Sequence, residues 1–253
     1  MAFRFVFTAV ALLAASPLAA DVTEELSYSY GLNDGGRVSV DNINGKVTVI
    51  GGPGNTVEIV ALKKAARQEY LDAIEIIIDH TDDAIRIETE HPSRSGPSSW
   101  FSRGESGSVS YTIRVPASAM LESIESVNGG LDISGVSGVV QASTVNGSIN
   151  AQDLSSDARI DTVNGTVEAT FTLFEGGQKA KFETVNGRLL ISLPPNANAR
   201  VSAETVHGSI NGSDFGLITN KGFVGRDLDG QIGAGSARLD LSTVNGSIKI
   251  QSH

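Results

Sequence analysis

One four-residue pattern, Thr-Val-Asn-Gly, recurs along the chain and constrains its fold more than any other feature. Copies aligned on the residue before the glycine lie at Asn44, Asn128, Asn146, Asn164, Asn186, His207 and Asn245, with a weaker copy at Asp229. From Asn128 onward the successive spacings are 18, 18, 22, 21, 22 and 16 residues. Periods of this length are typical of solenoids, in which each repeat stacks on the next.

The residues around each copy alternate between apolar and polar, which predicts strands with one buried face. Apolar columns lie four residues before the aligned position and three and five residues after it, as in Ile160, Val167 and Ala169 around Asn164. An antiparallel hairpin with a two-residue turn would explain one copy, but similar columns in every copy favour parallel stacking. We predict an all-β fold, a single right-handed parallel β-helix with rungs of about 16–22 residues.

The repeated Asn-Gly turn is predicted to be a building element of the coil. Asn and Gly both tolerate positive φ, so they permit a tight turn in every rung. The amides of identical strands in register can also stack into a hydrogen-bonded ladder. We assign this structural role to all seven aligned residues and interpret His207 as a tolerated variation and not as a metal ligand. The alternative is a row of amides offered to a ligand.

The segment between the first two turns lacks the repeat and is predicted to form a cap. We divide the single solenoid domain, residues 21–253, into N-terminal strands and cap over 21–125 and regular rungs over 126–253. The stretches NTVEIVALKKA and IEIIIDHTDDAIRIETE predict strands, and RQEYLDA predicts a short helical turn. Asp79 to Asp83 are interpreted as a hairpin turn and not as a metal site.

A loop rich in Ser, Gly and Pro is predicted over residues 91–108, inserted in the cap. It carries the single tryptophan, Trp100, next to Phe101 and between Arg94 and Arg103. Adjacent aromatic and cationic side chains on a polar loop are candidates for recognising a protein or a sugar. The alternative is that Trp100 folds back and plugs one end of the core.

The N-terminus predicts export. Residues 1–20 contain Arg4, an apolar run from Phe5 to Ala15, Pro17 and small residues before Asp21, a pattern typical of a secretory signal peptide. The apolar run is too short to span about 30 Å of hydrocarbon, so we expect no membrane insertion after cleavage. We predict a periplasmic, cell-surface or secreted protein. The chain has no cysteine, so its stability must come from packing and strand pairing.

Composition and motifs argue against several functions. The net charge of −10 disfavours binding to nucleic acid or to anionic lipid. The calcium-binding nonapeptide of β-rolls and the common hydrolase and protease motifs are absent from the sequence. We therefore predict no catalytic residues, no metal site and no cofactor.

One column of outward-facing residues is a candidate enzyme site, because some parallel β-helices degrade polysaccharides. Three residues before each turn position stand Asp41, Glu125, Ser143, Asp161, Glu183, Glu204 and Ser242. Adjacent rungs lie about 4.8 Å apart, so Glu183 and Glu204 could share a cation. We interpret the column instead as a solvated face.

The T-V-N-G repeats and the preceding strand VSYTIRVP, Val109 to Pro116, resemble the bacterial putative-adhesin family of domains of unknown function. The resemblance covers about residues 38–250 and implies a single β-solenoid in an envelope or extracellular protein. It brings no catalytic residues. We predict a non-enzymatic adhesin-like, scaffold or interaction module whose partner is an envelope or cell-surface protein or glycan. The alternative is a protein that binds or degrades polysaccharide with an outer β face.

Overall fold

The computed structural model describes residues 21–92, 107–222 and 225–253. In these ranges the chain forms two sheets, of ten and eleven strands, with one short helix and one 3-10 turn. The strands are β1 (Val22–Gly31), β2 (Arg37–Asn44), β3 (Val47–Gly52), β4 (Thr56–Ala65), β5 (Glu75–His80), β6 (Ala84–Glu90), β7 (Gly107–Pro116), β8 (Met120–Asn128), β9 (Leu131–Ser134), β10 (Val140–Asn146), β11 (Ile149–Leu154), β12 (Ala158–Asn164), β13 (Val167–Phe171), β14 (Lys179–Asn186), β15 (Leu189–Leu193), β16 (Ala199–His207), β17 (Ile210–Asn211), β18 (Asn220–Lys221), β19 (Arg226–Ile232), β20 (Ala237–Asn245) and β21 (Ile248–Ser252). The helix α1 is Gln68–Asp72 and the 3-10 turn is Ser213–Phe215.

Each central rung contributes one strand to each sheet. In the rung of Asn164, β12 lies in the eleven-stranded sheet, the chain turns, and β13 lies in the ten-stranded sheet. Neighbouring rungs pair in parallel and in register, so Asn164 stands opposite both Asn146 and Asn186. The coil therefore has two sheets. The central pairings are parallel as predicted, whereas each sheet as a whole is mixed.

The order of the rungs in space differs from their order in the sequence at both ends. The rung β2–β3 lies between β6–β7 and β8–β9, and the rung β20–β21 lies between β14–β15 and β16–β17. After β3 the chain leaves the stack and returns as β6 and β7, which lie on the outer side of β2 and β3. It then crosses to β8, which lies on the inner side of β2. As a result, the first and the last Asn-Gly repeats are both paired on two sides.

Antiparallel strands close the two ends of the stack. At one end β4 and β1 add to β7 and β5 adds to β6, while at the other end β19 and β18 add to β16. The predicted hairpin around residues 79–83 joins β5 to β6, and the predicted helical turn is α1. The weaker repeat copy is wrong, because Asp229 stands opposite Ser202 in the middle of antiparallel strand β19 and not at a turn.

The core is the space between the two sheets, filled by the alternating inward residues of the stacked strands. Most are Val, Ile, Leu and Ala, and they are buried. An aromatic cluster forms where the rungs are longest: the ring centroids of Phe171 and Phe174 are 4.7 Å apart, and those of Phe171 and Phe182 are 6.1 Å apart. Each fully buried side chain of this size contributes roughly 1.5–3 kcal/mol, which is the main source of stability in a chain without disulfides.

Candidate functional site: the turn edge

The turn edge is the long edge of the coil where the strands of the eleven-stranded sheet turn into the ten-stranded sheet. Six asparagines form one hydrogen-bonded row along it. Five bonds of 2.9 Å join them, in each of which a side-chain Nδ2 donates to the Oδ1 of the preceding asparagine, in the spatial order Asn44, Asn128, Asn146, Asn164, Asn186 and Asn245. We call this row the Asn ladder. Every internal amide both donates and accepts along the stack, so these side chains have a structural task.

A second row of hydrogen bonds lies just inside the ladder. The buried threonine two residues before the Asn donates its Oγ1 proton to the glycine carbonyl of a neighbouring rung, as in Thr162 to Gly147 at 2.9 Å and Thr184 to Gly165 at 3.1 Å. The first rungs depart from this pattern. Asn42 replaces the threonine and donates to the carbonyl of Val109 at 2.9 Å. These bonds satisfy polar groups that the turn would otherwise leave unpaired inside the coil.

The glycines of the turn are required for a reason that differs from our prediction. Of the ladder glycines only Gly45 has positive φ, so a left-handed backbone does not explain the other positions. Instead, the stacked turns touch: a Cβ added to Gly165 would lie 2.6 Å from the carbonyl carbon of Gly147, and closer still to its oxygen. The prediction that positive φ requires glycine at these turns is therefore wrong. Glycine is required instead because the backbones of neighbouring turns approach each other closely.

Histidines continue the Asn column at both ends. His207 stands opposite Asn245 in the outermost parallel pair and is exposed. At the other end β6 pairs with β2 so that Glu88 faces Asp41, and the same register continued three residues places His91 beside Asn44. Burial lowers the pKa of His91, which favours the neutral form of its ring. The asparagines from Asn128 to Asn245 therefore occupy positions that have a turn on both sides.

A row of valines runs beside the Asn ladder on the outer surface. The valine stripe consists of the residue before the turn position in six of the seven rungs, in the spatial order Val127, Val145, Val163, Val185, Val244 and Val206. Each of these side chains is 39–42% exposed. At about 4.8 Å per strand, six rungs make an apolar line about 24 Å long. Since single exposed apolar residues are common but aligned rows are not, the stripe is the most distinctive part of this surface.

The acidic column flanks the valine stripe two residues further back on each strand. Its order in space is Glu88, Asp41, Glu125, Ser143, Asp161, Glu183, Ser242 and Glu204. The predicted neighbours Glu183 and Glu204 are not adjacent, because Ser242 of the inserted rung lies between them. The hypothesis that they share a cation is therefore wrong. Glu183 instead pairs with Lys181 at 2.9 Å.

The acidic column carries charges that repel one another. Burial, followed by the neighbouring carboxylates of Glu125 and Glu88, raises the pKa of Asp41. Burial also raises the pKa of Asp161, with Glu183 adding to it and Arg159 opposing it. A cation placed on this flank would be favoured because it would relieve the repulsion.

The predicted recognition residues Arg94, Trp100, Phe101 and Arg103 lie outside the described residues. Their segment connects the end of β6 with the start of β7, where the neighbouring rung has the Asn44-Gly45 turn. In the described part of the chain, no three His, Asp or Glu side chains come together to hold a metal ion. Within the same residues, no helix has the length and apolar character needed to span a bilayer.

Sequence reasoning missed the valine stripe although the signal was present. Because the positions four and two residues before the turn face inward, alternation places the residue directly before the turn on the outside. The continuation of the column to His91 gave a weaker signal, Thr89-Glu90-His91, which resembles Thr205-Val206-His207.

These features define the protein as a two-sheet β-solenoid with a stacked turn edge. The family model described as Toastrack DUF4097 matches residues 102–251, more than half of the chain, and the protein belongs to that family. This confirms the resemblance to the putative-adhesin family of domains of unknown function.

Several solved structures are similar to this chain, including the following two. One, a putative cell adhesion protein from Clostridium sporogenes ATCC 15579, is 15% identical, with 91% of this chain and 100% of that chain covered and a TM-score of 0.51. At this identity the likeness shows the fold alone. The other, a putative adhesin from Bacteroides fragilis NCTC 9343, is 11% identical over 90% of this chain and 97% of that chain, with a TM-score of 0.41. The comparison with curated proteins gave no match.

Proposed function

We propose that the protein is a non-enzymatic, exported solenoid with a right-handed coil, which acts as an adhesin-like interaction module through its turn edge. The observation that carries the proposal is the valine stripe, six half-exposed apolar side chains in one line on a rigid stack. A contiguous apolar row bordered by polar groups is the usual mark of a surface that binds another protein. The Asn ladder fixes the spacing of the row.

The dimensions of the stripe favour a helical partner. In an amphipathic helix the apolar residues of one face are separated alternately by three and by four residues. They therefore recur about every 5.2 Å along the helix axis. This nearly matches the spacing of about 4.8 Å between valines. An extended strand lying along the coil would present side chains on one face about every 6.8 Å and would lose register within two rungs. A helix of about 16 residues covers the stripe of about 24 Å.

The charges beside the valine stripe indicate which side chains should border the apolar face of that helix. The acidic column lies on one side, while on the other side the Asn ladder is neutral and is followed two residues later by Lys46 and Arg188. A helix with Lys or Arg along one flank only would therefore bind in a defined orientation. Two copies of this chain would each bring a net charge of −10, which disfavours self-association at low salt.

The test uses a synthetic helical peptide of 18 residues, with leucines on one face and lysines along one flank. Binding to the protein is measured by calorimetry at low and physiological salt. The key variant replaces Val145, Val163 and Val185 by Thr, which keeps the β-branched shape but adds a hydroxyl. The matched control is Ile218→Thr, because Ile218 is 77% exposed but lies off the stripe.

We expect the triple variant to melt like the wild type and to bind the peptide at least about tenfold more weakly, while Ile218→Thr binds normally. A scrambled peptide of the same composition separates this binding from general attraction between opposite charges. Equal binding by the wild type and the triple variant would refute the role of the stripe. Sedimentation showing a dimer that the triple variant loses would assign the stripe to a second copy of this chain.

The alternative function, binding or degradation of polysaccharide by an outer face, has its own test. A glycan array and a polysaccharide-degradation screen, each with and without calcium, would detect it. Turnover of any glycan would contradict the proposed non-enzymatic function.

The predicted recognition loop is proposed as a second contact with the partner. Replacing Trp100 and Phe101 by Ala should leave the melting temperature almost unchanged and weaken binding of a partner captured from the envelope. A large fall in melting temperature would instead favour the alternative in which Trp100 plugs the core.

A further inference from the structure

The sequence contains seven Asn-Gly pairs, of which six belong to the Asn ladder and one, Asn211-Gly212, does not. Asn-Gly is chemically labile because glycine leaves its backbone nitrogen accessible to the preceding side chain. In this reaction the glycine nitrogen loses its proton and bonds to the side-chain carbon Cγ. The former amide nitrogen leaves as ammonia, which gives a five-membered succinimide. Water then opens either carbonyl of the ring, so that Asn and one water become Asp or isoaspartate and one ammonia.

The Asn ladder slows this reaction by restraining the nucleophile, which is the backbone nitrogen of the glycine. The backbone amides of Gly147, Gly165 and Gly187 each donate to the backbone carbonyl of the asparagine on the next rung at 3.1 Å. Gly45 and Gly246 make the equivalent bonds at 3.0 Å. An amide proton held in this way is lost less readily, and the nitrogen faces the neighbouring rung and not its own asparagine side chain.

The Asn ladder also restrains the electrophile, which is the side-chain carbon Cγ of the asparagine. Each asparagine amide from Asn128 to Asn186 is held by hydrogen bonds of 2.9 Å on both sides, which keep the side chain aligned along the stack. Closing the succinimide ring also requires the backbone to rotate at the turn. The close contact between stacked glycines prevents this rotation without separation of the rungs.

Asn211 lies outside the Asn ladder, and its turn is not stacked between two other turns. It ends the two-residue strand β17, which is the edge strand of the ten-stranded sheet, and its side chain is exposed. Its Oδ1 accepts a hydrogen bond from the Ser213 amide at 3.0 Å, which polarises the carbonyl that would be attacked. Gly212 is held by an isolated bridge to Leu217, five residues along the chain, and not by a stacked turn.

We propose that Asn211 is a site of spontaneous deamidation in the folded protein, whereas the Asn ladder protects the pairs inside it at Asn146, Asn164 and Asn186. The modification is gated by the fold and needs only water. Its product adds a carboxylate three residues before Asp214, whose side chain accepts a hydrogen bond from the Ser252 amide at 3.2 Å. Isoaspartate would also lengthen the backbone at the end of β17. Ageing should therefore loosen the end of the stack that carries His207. This inference does not depend on the proposed function.

The experiment ages the purified mature protein at mildly alkaline pH, in buffer and in concentrated urea. Peptide mapping with mass spectrometry then gives the rate at each Asn-Gly pair. In urea all seven pairs should react at similar rates. In buffer Asn211 should react at least about tenfold faster than Asn146, Asn164 or Asn186, because those three react only when rungs separate.

Two results would overturn the proposal. One is reaction at Asn164 in buffer as fast as in urea, since the ladder would then give no protection. The other is an unreacted Asn211 in buffer after the pairs in urea have converted. The variant Asn211→Gln is the control, because its longer side chain cannot form the five-membered ring, and it should abolish the ammonia released by the folded protein.

Discussion

Replacing Gly165 by Ala tests the contact between stacked turns, since alanine adds only the Cβ atom. That atom would lie 2.6 Å from the carbonyl carbon of Gly147 and 3.0 Å from the nitrogen of Ser148, and both belong to the rigid backbone of the adjacent rung. Side-chain rearrangement cannot relieve the clash. The two rungs must therefore move apart at the turn.

The separation breaks or lengthens three hydrogen bonds between these rungs. They are the backbone bond from Gly147 to Asn164 at 3.1 Å, the ladder bond from Asn164 to Asn146 at 2.9 Å, and the bond from Thr162 to Gly147 at 2.9 Å. At roughly 0.5–1.5 kcal/mol each, their loss lowers the free energy of unfolding by about 2–4 kcal/mol. For a chain of this size the melting temperature should fall by roughly 5–15 °C.

Two other glycines serve as matched controls. Gly52 has open space around it and no positive φ, so Gly52→Ala should be neutral or stabilising by up to about 1 kcal/mol. Gly176 also has open space but a φ of 66°, so Gly176→Ala measures backbone strain alone, about 1 kcal/mol. Urea unfolding followed by circular dichroism gives all three values. If Gly165→Ala unfolds within 0.5 kcal/mol of Gly52→Ala, the contact argument is refuted, where 0.5 kcal/mol is about the effect of an ordinary surface substitution.

Three further predictions follow from other regions. N-terminal sequencing of the native protein should begin at or near Asp21, and an uncleaved N-terminus on cytoplasmic protein would contradict the predicted export. Glu24→Gln should lower the free energy of unfolding by about 1–3 kcal/mol in urea titrations, because it leaves the Lys63 ammonium, 7% exposed and 2.9 Å from Glu24, without its charged partner. Burial raises the folded-state pKa of Asp161, so its contribution to stability is present below the unfolded pKa, about 3.9, and is lost as pH rises through the folded pKa. Asp161→Asn should therefore raise the melting temperature at pH 7, and an equal gain at pH 3 would refute this cause.

The repeating part of the fold could be predicted because stacked rungs repeat their chemistry. The columns around Asn146, Asn164 and Asn186 carry one inward pattern, and the structure pairs them in register. The order of the rungs could not be predicted in the same way. Since like columns stack equally well on any neighbour, the sequence around Asn245 fits beside Asn186 as well as beyond His207. The cation hypothesis for Glu183 failed for this reason.

The role of the turn glycines was misjudged because the distance between rungs is not visible along one chain. A tight turn and a close approach between turns both call for glycine, and only coordinates separate them. Gly45 has positive φ, whereas Gly165 is restricted by the carbonyl of Gly147. The valine stripe, in contrast, follows from simple alternation and was available from the sequence.

The interchange of rungs at both ends has a consequence for how the turn edge stays in register. A solenoid whose terminal repeats ended the stack would fray there, since the last rung would pair on one side only. In this chain the rungs of Asn44 and Asn245 pair on both sides, and antiparallel strands cover the outermost positions. The Asn ladder and the valine stripe from Val127 to Val244 therefore run through the interior of the stack, while Val206 lies in the outermost parallel rung. A surface that binds a partner along several rungs needs a fixed register between those rungs. A partner spanning about 24 Å would lose its contacts if one rung shifted.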